Sequence, residues 1–154
     1  MIKGLEIVLA EPEIPHNAGA AGRLSLALGV KLHLVRPLGF DLGEKAVRRA
    51  GLDYWKDVDL HVWEDWEMFV RGAEAKRLVL ATTKATQAHW DFAFAEGDAL
   101  VFGKETAGLS TEIRDDYPDH QIRIPMQPET TRSLNLATSI GIISYEAARQ
   151  LSVG

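Results

Sequence analysis

Six short apolar runs punctuate the chain, at residues 5–10, 32–35, 60–62, 78–81, 99–102 and 122–124, each bounded by turn residues. Runs of this length and composition predict strands buried on both faces. Between them stand stretches of helical character at 18–28, 44–50 and 65–72, a short one after Ser110, and a long one at 134–151. Strand and helix in alternation predict an α/β fold, a mostly parallel sheet flanked by helices. In the first helix Leu24, Ala27 and Leu28 share a face. In the last, Ile140, Ile143, Ala147 and Leu151 follow helical spacing, and Ile142, Tyr145 and Ala148 widen the apolar surface beyond one stripe. Such a helix is expected to be covered on two sides, within the domain or by a second subunit.

Composition narrows the chemistry. The 154 residues are 46% hydrophobic and 25% charged, enough for a real core, and no repeat or linker-like break divides them, so one domain spanning 1–154 is expected. No apolar stretch approaches the ~20 residues that cross a bilayer and no basic-then-apolar leader opens the chain, which predicts a soluble cytoplasmic protein with no membrane partner. With no cysteine there is no disulfide, thiolate nucleophile or cysteine-based zinc site. His16, His33, His61, His89 and His120 lack compact ligand spacing, and no glycine-flanked serine supports a hydrolase triad, so no metal is expected.

The net charge of -5 argues at first against a nucleic-acid partner, but the charge is uneven. Residues 23–56 carry seven basic side chains against three acidic ones, a local +4, whereas 57–75 set six carboxylates against Arg71 alone.

Three loops carry more glycine and polar residues than a scaffold needs. The first, 11–23, holds Asn17, Gly19, Gly22 and Arg23 between a strand and a helix. It resembles a dinucleotide fingerprint whose first glycine is replaced, but two prolines separate the strand from Asn17 and no acid closes the second strand. Asn17 is then expected to cap the helix, with Arg23 projecting toward whatever fills the loop. The second, 102–110, sets Gly103 and Glu105 at a strand's carboxyl end, where α/β proteins place ligands. The third, 124–136, is held extended by Pro125 and Pro128 and gathers Arg132, Ser133 and Asn135, with Ser133 in the position of an N-cap.

Taken together, Asn17-x-Gly19-x-x-x-Arg23, Phe102-Gly103-x-Glu105-x-x-Gly108-Leu109 and Ile124-Pro125-Met126 through Arg132-Ser133-Leu134-Asn135-Leu136 resemble the three motifs of the SPOUT-class RNA methyltransferases. Residues 11–15, 48–54 and 82–84 narrow the resemblance to the small tRNA 2′-O-methyltransferases of the anticodon wobble nucleotide, over essentially the whole chain. The resemblance implies a C-terminal trefoil knot, S-adenosyl-L-methionine as cofactor, a homodimer and a tRNA substrate. It places the cofactor against Ala81, Gly103, Ile124, Met126, Ser133 and Leu134, and catalysis on Arg23, Ser133, Asn135 and Glu105. A guanidinium stays protonated in proteins, so Arg23 is expected to position ribose and phosphate rather than take the hydroxyl proton. Glu105 is expected to fix the loop around Arg23 by an ion pair or hydrogen bonds.

The basic segment then supplies the RNA contacts, expected at Arg23, Lys45, Arg48, Arg49 and Arg132, with a shallow salt dependence. His16 and Lys104 stand where relatives often have proline, Ala137 replaces a commoner serine, and the third loop is one residue longer. These departures bear on substrate choice. Two other readings remain open at this point: 2′-O-methylation of another tRNA position or of ribosomal RNA, and a nucleotide-binding or RNA-binding module without activity.

Overall fold

A computed structural model of the chain describes residues 2, 4–42, 54–129 and 133–152. The expected helix at 44–50, and with it Lys45, Arg48 and Arg49, lies outside the described residues, as does Arg132.

Six strands, β1 (Glu6–Ala10), β2 (Lys31–Val35), β3 (Leu60–Trp63), β4 (Arg77–Ala81), β5 (Asp98–Phe102) and β6 (Gln121–Ile122), form one sheet in the order β3-β2-β1-β5-β4-β6. Every pairing is parallel. Among the described residues four helices flank it: α1 (Pro15–Leu28), α2 (Trp66–Gly72), α3 (Thr111–Asp116) and α4 (Leu136–Ser152), with 3-10 turns at Trp55–Asp57 and His89–Asp91. The alternation of side chains along each strand divides the core in two. Ile7, Leu9, Leu32, Leu34, Leu100 and Phe102 face α1 and α4, whereas Val8, Ala10, Val35, Ala99 and Val101 face Phe69 of α2 and Ile113 of α3. Full burial of Phe69 is worth about 1.5–3 kcal/mol and pins the otherwise exposed α2 to the sheet.

Helix boundaries follow local chemistry. Pro15 occupies the first turn of α1, where a missing N–H costs nothing, so the helix begins before the 18 expected from its apolar spacing. Its buried stripe runs through Ala18, Ala21, Gly22, Ser25 and Leu28, and Ala27 is exposed rather than on the core face. Gly29 ends it in a left-handed conformation (φ 68°). Asp65 and Ser110 cap α2 and α3 by accepting from Met68 N–H and Ile113 N–H. The long helix starts later than expected, because Asn135 and not Ser133 caps it: Asn135 Oδ1 accepts from Ala137 N–H (2.8 Å) and Thr138 N–H (3.3 Å). On α4 Ile140, Ile143, Ser144, Ala147 and Ala148 are buried, while Ile142 and Tyr145 are exposed. One side of this helix is covered by its own chain and the other is not. Among the described residues no helix is long and apolar enough to cross a membrane.

Candidate active site at the carboxyl ends of the strands

The strand order reverses between β1 and β5, whose following helices α1 and α3 leave toward opposite faces. A crevice opens at such a switch point, and it is where open α/β sheets hold ligands. Glu105 ties the two diverging loops together. Its Oε1 accepts from Glu13 N–H (2.7 Å), and its Oε2 accepts from Ile14 N–H (2.8 Å) and from the Asn17 side-chain amide (3.0 Å). The carboxylate therefore satisfies free amides at the start of α1, the task assigned above to Asn17, which lies inside the helix and is buried. Glu13 returns the contact, accepting from the Thr106 amide (2.9 Å) and hydroxyl (2.8 Å). The Thr106 amide, then its hydroxyl, then nearby Lys104 hold the Glu13 carboxyl below its ordinary range.

Beside this clasp lies a cavity of about 520 Å³. Ala81, Gly103, Ile124, Met126, Ser133 and Leu134, the six residues expected to hold the cofactor, all line it, and so do Glu105 and Asn135. Its apolar wall comes from Phe102, Ile122, Leu136 and Ile143. Gly103 shows why the loop carries glycine: a Cβ there would stand 2.1 Å from the Gly108 carbonyl carbon and 2.2 Å from Leu109 N. The loop folds back on itself at that point, closed by the Gly108 N–H donating to Lys104 O (2.8 Å).

Arg23 does not line this cavity. It is exposed on α1, six residues beyond Asn17 or about 9 Å along the axis, and among the described residues no hydrogen bond or ion pair joins it to Glu105. Of the two means expected for Glu105 to fix the loop around Arg23, an ion pair or hydrogen bonds, the structure has the hydrogen bonds, made to amides at the start of α1 and to Asn17. Arg23 lies instead over the ring of Tyr54, its Cζ 6.0 Å from the centroid. The Tyr54 hydroxyl donates to Gly19 O (2.9 Å), and burial pushes this phenol above its usual range, partly opposed by Arg23. Sequence reasoning missed Tyr54 as a neighbour of Arg23. A tyrosine closing the basic segment was its only signal. Among the described residues no cluster of His, Asp or Glu could hold a metal ion.

Residues 4–145 match the SpoU rRNA Methylase family. The chain is 48% identical over 146 residues to the tRNA (cytidine(34)-2′-O)-methyltransferase of Methylovorus glucosotrophus, covering 94% of each chain. It is similar, with TM-score 0.88 and 43% identity over 96% of both chains, to a structure that gives insight into the 2-OH methylation of C/U34 on tRNA. The SpoU methyltransferase AviRb from Streptomyces viridochromogenes, solved in complex with the cofactor AdoMet, is 28% identical with TM-score 0.81, over 100% of this chain and 60% of its own.

Proposed function

The chain belongs to the SpoU rRNA methylase family, and from that premise we propose that it is a tRNA 2′-O-methyltransferase acting on the wobble nucleotide, cytidine or modified uridine 34, with S-adenosyl-L-methionine. The observation that carries the reading is the cavity at the carboxyl ends of β5, β4 and β6, which gathers the six residues expected at the cofactor. A volume near 520 Å³ with one apolar wall and a rim of loop amides suits an adenosine-bearing ligand. Bound there, S-adenosylmethionine would supply a sulfonium methyl group for the ribose 2′-oxygen, and the hydroxyl proton would leave to solvent.

The protein's own part is alignment. Ser133 and Asn135 stand on the third loop against the cavity and orient nucleotide and cofactor, while Glu105 holds the first and second loops in register. Arg23 positions the ribose and the neighbouring phosphate, with the planar fork of a guanidinium fixing both.

The reading includes a homodimer. Ile142 (36% exposed) and Tyr145 (50% exposed) on α4, and Leu26 (37% exposed) on α1, offer an apolar surface on two helices that pack together. Arg23, which stands off the cavity within one protomer, then serves a site built by both copies. The reading also includes the C-terminal trefoil knot of the resemblance. In its support, β6 lies on the sheet edge beside β4, while α4 returns to pack on α1, its Gln150 bonding Phe92 O and Phe94 N–H. The setting is the cytoplasm, where tRNA is modified.

Incubation with labelled S-adenosylmethionine and total tRNA, followed by mapping of 2′-O-methyl nucleotides, tests the proposal. Label at nucleotide 34 is expected; label only at another tRNA position, or no label in tRNA, would overturn it. Arg23→Lys should lower turnover by about 100-fold if the guanidinium makes a planar bidentate contact. A fall of less than about threefold would reduce the role of Arg23 to that of a point charge.

A further inference from the structure

We infer that Lys84, Lys104 and Arg123 form a phosphate-binding rim on the cavity, which holds the RNA backbone next to the methylated ribose; the inference rests on the RNA-methyltransferase reading above. The three residues follow the carboxyl ends of β4, β5 and β6, which are neighbours in the sheet. With strands ~4.8 Å apart, their origins span about 10 Å along one side of the cavity.

Charge is what distinguishes this rim. Among the described residues four cations line the cavity, Lys84, Lys104, Arg114 and Arg123, against the single carboxylate of Glu105. That carboxylate is taken up by two backbone amides and Asn17. Arg114 is committed too, donating to Leu109 O (3.3 Å) and Thr111 Oγ1 (3.2 Å). The side chains of Lys84 and Arg123 have no hydrogen bond or ion pair among the described residues. The Lys104 side chain has no hydrogen bond or ion pair among the described residues, and its charge is met in part by the nearby Glu13 carboxylate.

This chain does not lack acids to neutralise its bases. Arg77 pairs with Asp98, Arg149 with Glu146, Arg36 with Glu64 and Lys31 with Glu74. Two uncommitted cations, with a third shared only with Glu13, around one cavity of an acidic protein are a site for an external anion. Spread over three strand ends, they fit a chain of spaced charges better than one carboxylate, and a phosphodiester backbone has that form. None of the three belongs to the basic segment 23–56, so the RNA is gripped from the catalytic cavity itself as well as from that segment.

The test uses Lys84→Gln, Lys104→Gln and Arg123→Gln, singly and together, with an anticodon stem-loop RNA titrated between about 50 and 200 mM salt. Each substitution should flatten the slope of log affinity against log salt by about 0.7, and the triple variant by about 2. Cofactor affinity, measured by calorimetry, should match that of the unchanged protein and so report an intact fold. Lys84→Arg and Lys104→Arg should restore the slope. A triple variant with an unaltered slope would overturn the inference. So would a loss of cofactor affinity in step with RNA affinity, since the cations would then serve the cofactor's carboxylate. Failure of the unchanged protein to methylate tRNA would instead remove the functional reading, a result independent of the slopes.

Discussion

The two ends of the sheet carry cavities of nearly equal size and opposite chemistry. At the amino ends of the strands a cleft of about 550 Å³ is lined by Glu6, Asp57, Asp59, Glu74 and Glu96 against Lys31 and Lys76. The cavity of about 520 Å³ at the carboxyl ends has four cations and one carboxylate. Below that cleft some of the charge is paired within the chain. Arg77 and Asp98, opposite one another in the register of β4 and β5, form a two-pronged pair at 2.8 Å, and this contact first of all raises the guanidinium above its ordinary range. Nearby Trp63 donates its indole N–H to His33 Nδ1 (3.0 Å), so the other ring nitrogen carries the proton and gives it to Glu6 at 2.5 Å. Size therefore does not identify the site. What separates the two ends is the sign of the charge lining them, an excess of carboxylates at the amino end and of cations at the carboxyl end.

The contrast is most open to attack at Gly103. Gly103→Ala would drive a methyl group into the backbone of Gly108 and Leu109, which cannot move aside as a flexible side chain would. Cofactor affinity should fall at least 100-fold, equivalent to about 3 kcal/mol. Retention of tight binding would mean that the second loop does not form the cofactor seat. Asp98→Ala makes the opposite demand. Asp98 is 1% exposed and also accepts from Ala95 N–H, so its removal should destabilise the fold by about 2–3 kcal/mol, given that Arg77 stays partly solvated. Cofactor affinity of the folded fraction should be unchanged. Chemical denaturation with calorimetry separates the two effects, and a matching loss of binding would show that the amino end takes part in the site.

How far this division was legible in the sequence depends on the range of the interaction concerned. Apolar runs located all six strands within two residues, because burial on both faces leaves a local mark on the inner strands, while the edge strand β3 keeps an apolar run although Val62 is exposed. The loops at strand ends were legible as the site for the same reason. Misplaced features were those decided at a distance. Asn17 and Ser133 have the right chemistry for helix caps, but the start of α1 is satisfied by Glu105 from 88 residues away, and Asn135 sits closer to the first turn of α4 than Ser133 does. The contact of Glu6, His33 and Trp63 joins three strands, and no spacing within one of them announces it. Arg23 and Glu105 were placed in one site by the resemblance, yet helical geometry carries Arg23 about 9 Å from Asn17.

Glu105→Gln bears on that same long-range contact with a smaller expected effect. The amide keeps one acceptor oxygen but turns an NH₂ group toward an N–H donor, which should cost about 1–2 kcal/mol and weaken cofactor binding roughly tenfold. An unchanged affinity would show that the clasp between the first and second loops is dispensable for the cavity.

The smallest effect expected is the one that would most directly break the contrast. Glu74 lies at the amino-end cleft with its side chain 87% exposed and only a 3.9 Å contact to Lys31, so an exposed pair of this kind adds little to stability. Glu74→Lys raises the positive charge of that cleft by two units without touching the core. If RNA runs only along the carboxyl ends, both the affinity for the anticodon stem-loop and its salt slope should stay within error, because at ~0.15 M salt charges farther than about 8 Å from the phosphates are screened. A steeper slope would mean that phosphates reach the amino-end cleft, and the RNA path would then have to wrap the sheet rather than cross one end of it.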